Sequence, residues 1–272
     1  MDWVVSLPMY NVTQGLDARW KALLNRAVAL LKADGFTDSV TVLDDPGERL
    51  TDLWQRPELL LSQTCGYPLM TTLPPSLQLV GAPVFDVAGC DGASYQSVIV
   101  VSAAAYRDGA RALSSCRGLR AAYNSVDSHS GYNTFRDAIA PLADGHGYFA
   151  SVIETGSHFA SLQALANERA DIAAIDCVTL AFVEDAFPSL VGKWHRIGTT
   201  ASAPSLPFIA SAHVDAGLMR ALRSALTRVI SEDVAAGGAL GLLRIAPISR
   251  EAYQAILAAQ NRAVTAGYPL LV

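Results

Sequence analysis

Short apolar runs alternate with stretches of helical spacing along this chain, and that alternation constrains its fold more than any motif does. Val4 to Leu7 reads as a strand ending at Pro8. Leu16 to Leu31 sets Leu16, Trp20, Leu23, Leu24, Ala27, Leu30 and Leu31 on one helical face, with Asp34-Gly35 as the stop. Ser39 to Leu43 reads as a strand, Leu50 to Pro57 as a short helix and Leu59 to Ser62 as a strand. A β-rich segment, Leu77 to Asp86 and Tyr95 to Ser102 around a turn at Gly89 to Gly92, interrupts the rhythm. The rhythm restarts at Arg107. Strands are expected at Leu119 to Tyr123, Tyr148 to Ile153, Asp171 to Ile175, Trp194 to Ile197 and Leu206 to Ala210. Helices are expected at Thr134 to Leu142, Ser157 to Asn167, Cys177 to Ala186, Asp215 to Ser231 and Arg250 to Val264.

Such alternation implies an α/β fold of mostly parallel sheets flanked by helices. Two series joined by long strands imply two lobes with a cleft between them. The expected division gives residues 1–95 and 205–272 to lobe 1 and residues 96–204 to lobe 2. A chain of 272 residues can bury a core in each.

Composition removes several function classes. The chain is 51% hydrophobic and 17% charged, so it is globular, and its net charge of −5 comes without a basic tract. Nucleic acid is therefore not an expected partner. An anionic ligand would need local dipoles and hydroxyls, because the global field opposes it. No apolar run has the length of a membrane span. Met1-Asp2-Trp3-Val4-Val5-Ser6-Leu7-Pro8 lacks a basic n-region, a long apolar core and a small-residue cleavage site, and reads as the first strand. The expectation is a cytoplasmic chain or one that stands without its leader. Cys65, Cys90, Cys116 and Cys177 are widely spaced, with no C-x-x-C pair and no histidine at zinc-ligand spacing. Neither a metal nor a cofactor is expected.

Ligands of open α/β sheets bind beyond the carboxyl ends of the strands, and the polar clusters fall there. Asn124-Ser125-Val126-Asp127-Ser128-His129-Ser130-Gly131-Tyr132 links a strand to a helix. A Ser-x-Ser-Gly turn in that position aims backbone N–H groups, two hydroxyls and the positive end of a helix at one spot, an anion pocket without lysine or arginine. The structural alternative is a plain N-cap. Glu154-Thr155-Gly156-Ser157-His158 is a second hydroxyl-rich helix start, where Ser157 would cap and His158 would donate to an oxyanion or simply be solvated. Asp176 ends an apolar strand and reads equally as an acceptor for a ligand ammonium or as the cap of the next helix. Tyr10, after the first strand, reads either as a cleft residue or as a core edge. In Gln63-Thr64-Cys65-Gly66, Cys65 would feel a helix dipole that lowers a thiol pKa, though a small lining residue fits as well.

Taken in order, these pieces resemble the phosphate/phosphite/phosphonate substrate-binding proteins of ABC transporters. The resemblance is carried by the Leu7-Pro8-Met9-Tyr10 opening, the Tyr95-x-Ser97-Val98-Ile99-Val100 strand and the Ser128-x-Ser130-Gly131-Tyr132 turn. Thr155-Gly156-Ser157-His158, Ala170 to Asp176 and Leu206-Pro207 complete it. It implies the type 2 periplasmic binding fold, two α/β lobes that close over a ligand by hinge motion. It also implies that Ser128, His129 through its N–H, Ser130 and His158 hold an oxyanion, that Tyr10 and Tyr95 line the cleft, and that an acid near Asp176 recognises an amine. His129 stands where the family's turn has threonine, which removes one hydroxyl.

The leading expectation is a substrate-binding protein, not an enzyme, that captures a small phosphonate- or phosphate-like oxyanion for ABC-type uptake. Its ligand set is Tyr10, Thr64, Cys65, Tyr95, Asn124, Ser128, His129, Ser130, Thr155, Ser157, His158 and Asp176. An ABC permease is the implied partner, and the family implies a periplasmic location. One alternative is a cytoplasmic enzyme with Cys65 as nucleophile and His158 as base. Another is a ligand-sensing interaction protein.

Overall fold

The computed structural model describes residues 2–44, 49–232, 238 and 240–272. Contacts divide the chain into two compact units. The first comprises Met1–Asp86, Asp91–Ala93 and Pro204–Ala252, the second Val87–Cys90, Ser94–Ala203 and Tyr253–Val272. The chain passes between them at short strands, β5 (Cys90–Asp91), β6 (Ser94–Tyr95) and β12 (Ala203–Pro204).

In the first unit, β1 (Trp3–Ser6), α1 (Gln14–Ala33), β2 (Val40–Val42), α2 (Leu50–Leu53), β3 (Leu59–Gln63), α3 (Gly66–Thr71) and β4 (Gln78–Phe85) run in succession. After the excursion through the second unit come β13 (Phe208–Ala210), α8 (Ala216–Glu232) and β14 (Leu242–Ala246). The sheet order is β14-β4-β13-β3-β1-β2. Helix α1 forms because its apolar residues recur at helical spacing, and all seven named from the sequence are buried. Thr13 caps it by accepting from Leu16 N at 3.1 Å. Burying each leucine of that face contributes about 1.5–3 kcal/mol, so this stripe, not intrinsic propensity, holds the helix.

In the second unit, β7 (Ser97–Ser102) and α4 (Ala103–Arg107) lead to β8 (Arg120–Tyr123), α5 (Thr134–Ala143), β9 (Ser151–Glu154) and α6 (His158–Ala166). β10 (Ile172–Asp176), α7 (Cys177–Ala186), β11 (Trp194–Thr199) and the C-terminal α9 (Gln254–Thr265) follow. The sheet order is β11-β7-β10-β8-β9. Strands β7 and β10 are buried throughout, which is why they read as continuous apolar runs. One core gathers Ile99, Val101, Phe135, Ile139, Tyr148 and Ile172 with Ala263, Tyr268 and Leu271 of the C-terminal tail.

The α/β class stands, but both sheets are mixed and not mostly parallel. Pairs β1/β2, β1/β3, β8/β9 and β8/β10 are parallel. Strands β4 and β7 of the β-rich segment, with β13, β14 and β11, pair antiparallel. Parallel pairs need a crossover connection; β4 runs opposite to its neighbours β13 and β14, and β7 opposite to β10 and β11. The division also differs from the expected one at the tail. Residues 253–272 belong to the second unit, because α9 packs on α5 and Arg136 donates to the Pro269 carbonyl.

Candidate functional site

Strands β10, β8 and β9 lie side by side and parallel through β8, so their carboxyl ends share one end of the second unit's sheet. Asn124 follows β8, Thr155 follows β9 and Asp176 ends β10. Antiparallel β7 begins there too, with Ser97 in register with Asp176. Sequence-distant polar residues are brought together by strand order alone.

The helix after β8 opens with a π-helical turn, His129–Asn133, before continuing as α5. Ser128 is its N-cap, in extended conformation, and its Oγ accepts from Gly131 N at 3.1 Å. The wide turn is closed by Asn133 N donating to Ser128 O at 3.0 Å. Ser130 Oγ lies 3.5 Å from Ser128 Oγ and 2.8 Å from His158 Nε2. Ser97 Oγ donates to the Ser130 carbonyl at 2.9 Å and fixes that residue from the neighbouring strand. Two hydroxyls, an imidazole and the first-turn N–H groups of a helix therefore meet at one place.

Gly131 is what lets them meet. A Cβ there would sit 1.9 Å from Asn124 Oδ1 and 3.0 Å from His158 Cε1, so no other residue fits without moving both. Asn124 Oδ1 is also buried without a well-formed hydrogen bond. Unsatisfied buried polar atoms are uncommon, and each calls for an explanation. Here one occurs beside Gly131.

Burial holds His158 neutral, with its pKa lowered to about 4, while the Ala174 carbonyl pulls weakly the other way. The 2.8 Å approach of Ser130 and His158 has the length of a nucleophile–base pair. Among the described residues, no carboxylate orients the ring as such a base requires, and its backbone partner is the Ala174 carbonyl. The arrangement suits holding an oxyanion with neutral donors better than activating a serine.

The other expected residues take varied roles. The His129 ring turns into the packing between helices, with Nδ1 3.1 Å from Asn133 Nδ2, and only its backbone belongs to the turn. Burial, reinforced by Arg262, lowers its pKa to about 4. Thr155 Oγ1 is engaged with the Tyr123 carbonyl at 2.9 Å and Ser161 Oγ at 2.7 Å. Ser157 caps α6 by accepting from Ala160 N at 3.0 Å. Asp176 caps α7, its Oδ1 accepting from Val178 N at 2.8 Å and Thr179 N at 3.0 Å. Tyr95 is buried in β6. Tyr10, Thr64 and Cys65 belong to the first unit. There Tyr10 is 2% exposed and packs edge-on against Phe85 at 5.6 Å. Thr64 Oγ1 donates to the Cys65 carbonyl at 3.2 Å, and Cys65 is a buried N-cap of α3 without a side-chain cap bond.

The ligand set read from the sequence left out Ser97 and Ser161. Their signal was a small hydroxyl on an otherwise apolar element, fully readable only once strand order shows what it faces.

Residues 78–253 match the family described as ABC transporter, phosphonate, periplasmic substrate-binding protein. Among solved structures, the chain is similar to a binding-protein component of an ABC phosphonate transporter from Pseudomonas aeruginosa, at 14% identity. That match covers 97% of this chain and 88% of that one, with a TM-score of 0.77. It is similar to PhnD1 from Prochlorococcus marinus in complex with methylphosphonate, at 15% identity, covering 96% and 97%, with a TM-score of 0.76. It is also similar to XAC2383 from Xanthomonas citri bound to ATP, at 16% identity, covering 97% and 98%, with a TM-score of 0.68. Likeness at these identities carries the fold, the type 2 periplasmic binding fold, and no more. No curated protein matches the chain in sequence.

Proposed function

The chain belongs to the phosphonate-type periplasmic substrate-binding proteins of ABC transporters, and on that premise we propose that its second unit holds a small phosphonate- or phosphate-like oxyanion at Ser128, Ser130, Asn124 and His158. Solute capture for ABC uptake comes with the family, as do a small ligand and a permease partner. The family is not one of enzymes, so the reading that pairs Cys65 with His158 is set aside. The ligand class, its site and a periplasmic location for this chain are the proposal.

The observation that carries it is the convergence of both serine hydroxyls and the His158 ring at the start of one helix, beside Gly131. Charge-assisted hydrogen bonds from such neutral donors contribute about 1.5–3 kcal/mol each. Asn124 Oδ1 adds selectivity. It is a buried acceptor lacking a donor, and the hydroxyl of a singly protonated phosphonate or phosphate would supply one. Sulfate, fully ionised at neutral pH, would not.

Isothermal titration with methylphosphonate, phosphite, phosphate, 2-aminoethylphosphonate and sulfate tests this. One phosphorus oxyanion is expected to bind, with sulfate weaker. Ser130→Ala should weaken that ligand roughly 10- to 100-fold. Unchanged affinity in a chain carrying both Ser128→Ala and Ser130→Ala would show that the site lies elsewhere.

A further inference from the structure

Within the second unit, the sulfurs of Cys90 and Cys177 lie 3.6 Å apart. Backbone hydrogen bonds hold their segments side by side. Gln96 N donates to Gly89 O at 2.9 Å, and Cys177 N donates to Gln96 O at 3.2 Å. Gly89 lies against Cys177 so closely that a Cβ there would come 2.9 Å from Cys177 Cβ, and its φ of +100° lies in the left-handed region. A glycine at that position is what allows the two cysteine-bearing segments to approach. We propose that Cys90 and Cys177 form a thiol pair that oxidises to an intramolecular disulfide. A disulfide holds its sulfurs at about 2.0 Å, so closure takes about 1.5 Å of movement shared by two side chains.

The pair is asymmetric in a way that orders the chemistry. Cys90 is half-buried, whereas Cys177 is 2% exposed. The Cys177 thiol is kept protonated by its hydrogen bond with Cys90, by burial and by the neighbouring Asp176 carboxylate. Cys90 therefore reacts first. Its thiolate attacks a small-molecule disulfide such as oxidised glutathione, forming a mixed disulfide and releasing one thiolate. Cys177 then gives up its proton and attacks Cys90 Sγ, which expels the second thiolate. The two protein thiols lose two electrons and two protons in total, and the oxidant disulfide becomes two thiols. Formation of the mixed disulfide removes the hydrogen bond that does most to keep Cys177 protonated.

The remaining cysteines do not compete. Cys65 is buried, 7% exposed. Cys116 is fully buried, its pKa raised to about 11 by burial, and its Sγ donates to the Ala112 carbonyl. The bond would join the first residue of α7 to the residue after which the chain leaves the second unit. The inference rests on thiol geometry and is independent of the ligand reading.

The test is incubation of the full native chain with oxidised glutathione. Thiols titrated after denaturation should fall from four to two. Peptide mapping should join Cys90 to Cys177, and the melting midpoint should rise by roughly 5–10 °C, reversibly with dithiothreitol. Cys90→Ser should abolish all three changes, and a chain carrying Cys65→Ala and Cys116→Ala should keep the linkage and the rise in midpoint, its thiols falling from two to none. If that double variant does not fold, the peptide map of the native chain decides. Four surviving thiols, a glutathione adduct that persists on Cys90, or a linkage involving Cys65 or Cys116 would overturn the proposal.

Discussion

Gly131 shows how much a single position can decide. Its Cα hydrogen faces Asn124 and His158 where any side chain would collide with both. Gly131→Ala should therefore displace the amide and the ring from the serine turn. The expected outcome is loss of oxyanion binding by titration, with a stability cost of about 1–3 kcal/mol from overpacking. An alanine variant that bound normally would show that neither Asn124 nor His158 needs its present place. The two buried histidines set a pH dependence. His129 and His158 have pKa values lowered to about 4 by burial, against about 6.5 in an unfolded chain. Between those values the unfolded state binds more protons, so stability rises with pH there. Their contribution is complete above about pH 6.5 and is lost as pH falls toward 4. The limit is about 3 kcal/mol per histidine. Melting midpoints recorded from pH 7.5 to 4.5 should fall, and His129→Gln should flatten that fall. A slope unaltered by the substitution would assign the acid sensitivity to carboxylates instead.

Among the elements, α7 allows a structural role to be separated from a ligand role. Asp176 accepts from two backbone N–H groups at its start, so Asp176→Ala should cost about 1–2 kcal/mol by chemical denaturation. Asp176→Asn keeps an acceptor for the cap while removing the charge, and should cost far less. If Asp176 also reads a ligand amine, the asparagine variant will lose affinity for 2-aminoethylphosphonate at least tenfold and keep it for methylphosphonate. Equal affinities for both would leave it a cap alone. The sequence made elements of this kind legible where periodicity was strong. Leu16 to Leu31 is a helix with the expected buried face, and Cys177 to Ala186 is a helix as expected. The π-helical turn at His129–Asn133 was not legible. Its hydrogen bonds are shifted by one residue from an α-helix, and no residue-type pattern announces that shift. Strand β14 was missed because its buried residues, Leu242 and Ala246, alternate weakly with Arg244 between them. Its partner β4 lies far away in sequence. The serine cluster was readable as an anion turn, but its partnership with Ser97 depends on the β7/β10 register, which lies outside any local window.

For the molecule as a whole, the chain's last twenty residues matter most. Alternation of strands and helices foretold two α/β units, yet gave no sign that the tail would return to the second one. The reason is that α9 presents an ordinary amphipathic face, burying Ile256, Ala259 and Ala263, and such a face fits either sheet. What fixes its place is polar and specific. Asn133 Nδ2 donates to the Ile256 carbonyl at 3.0 Å, Arg136 Nη1 donates to the Pro269 carbonyl, and Arg262 Nε donates to Asp137 Oδ1 at 3.1 Å. Tyr148 N also donates to the Val272 carbonyl at 2.8 Å, anchoring the very end. The side-chain bonds converge on the helix that carries the serine turn at its start, so the tail braces the candidate site from behind. Removal of residues 254–272 should therefore uncover Ile139, Phe135 and Tyr148, and leave Asn133 and Arg136 without their carbonyl partners. Hydrogen exchange should then accelerate throughout α5 and the turn before it, while α1 and β1 of the first unit keep their protection. Oxyanion binding should vanish with the protection of α5. Exchange that rose equally in α1 and α5 would mean that the two units unfold as one, and exchange unchanged in α5 would mean that the tail merely covers a helix already stable without it.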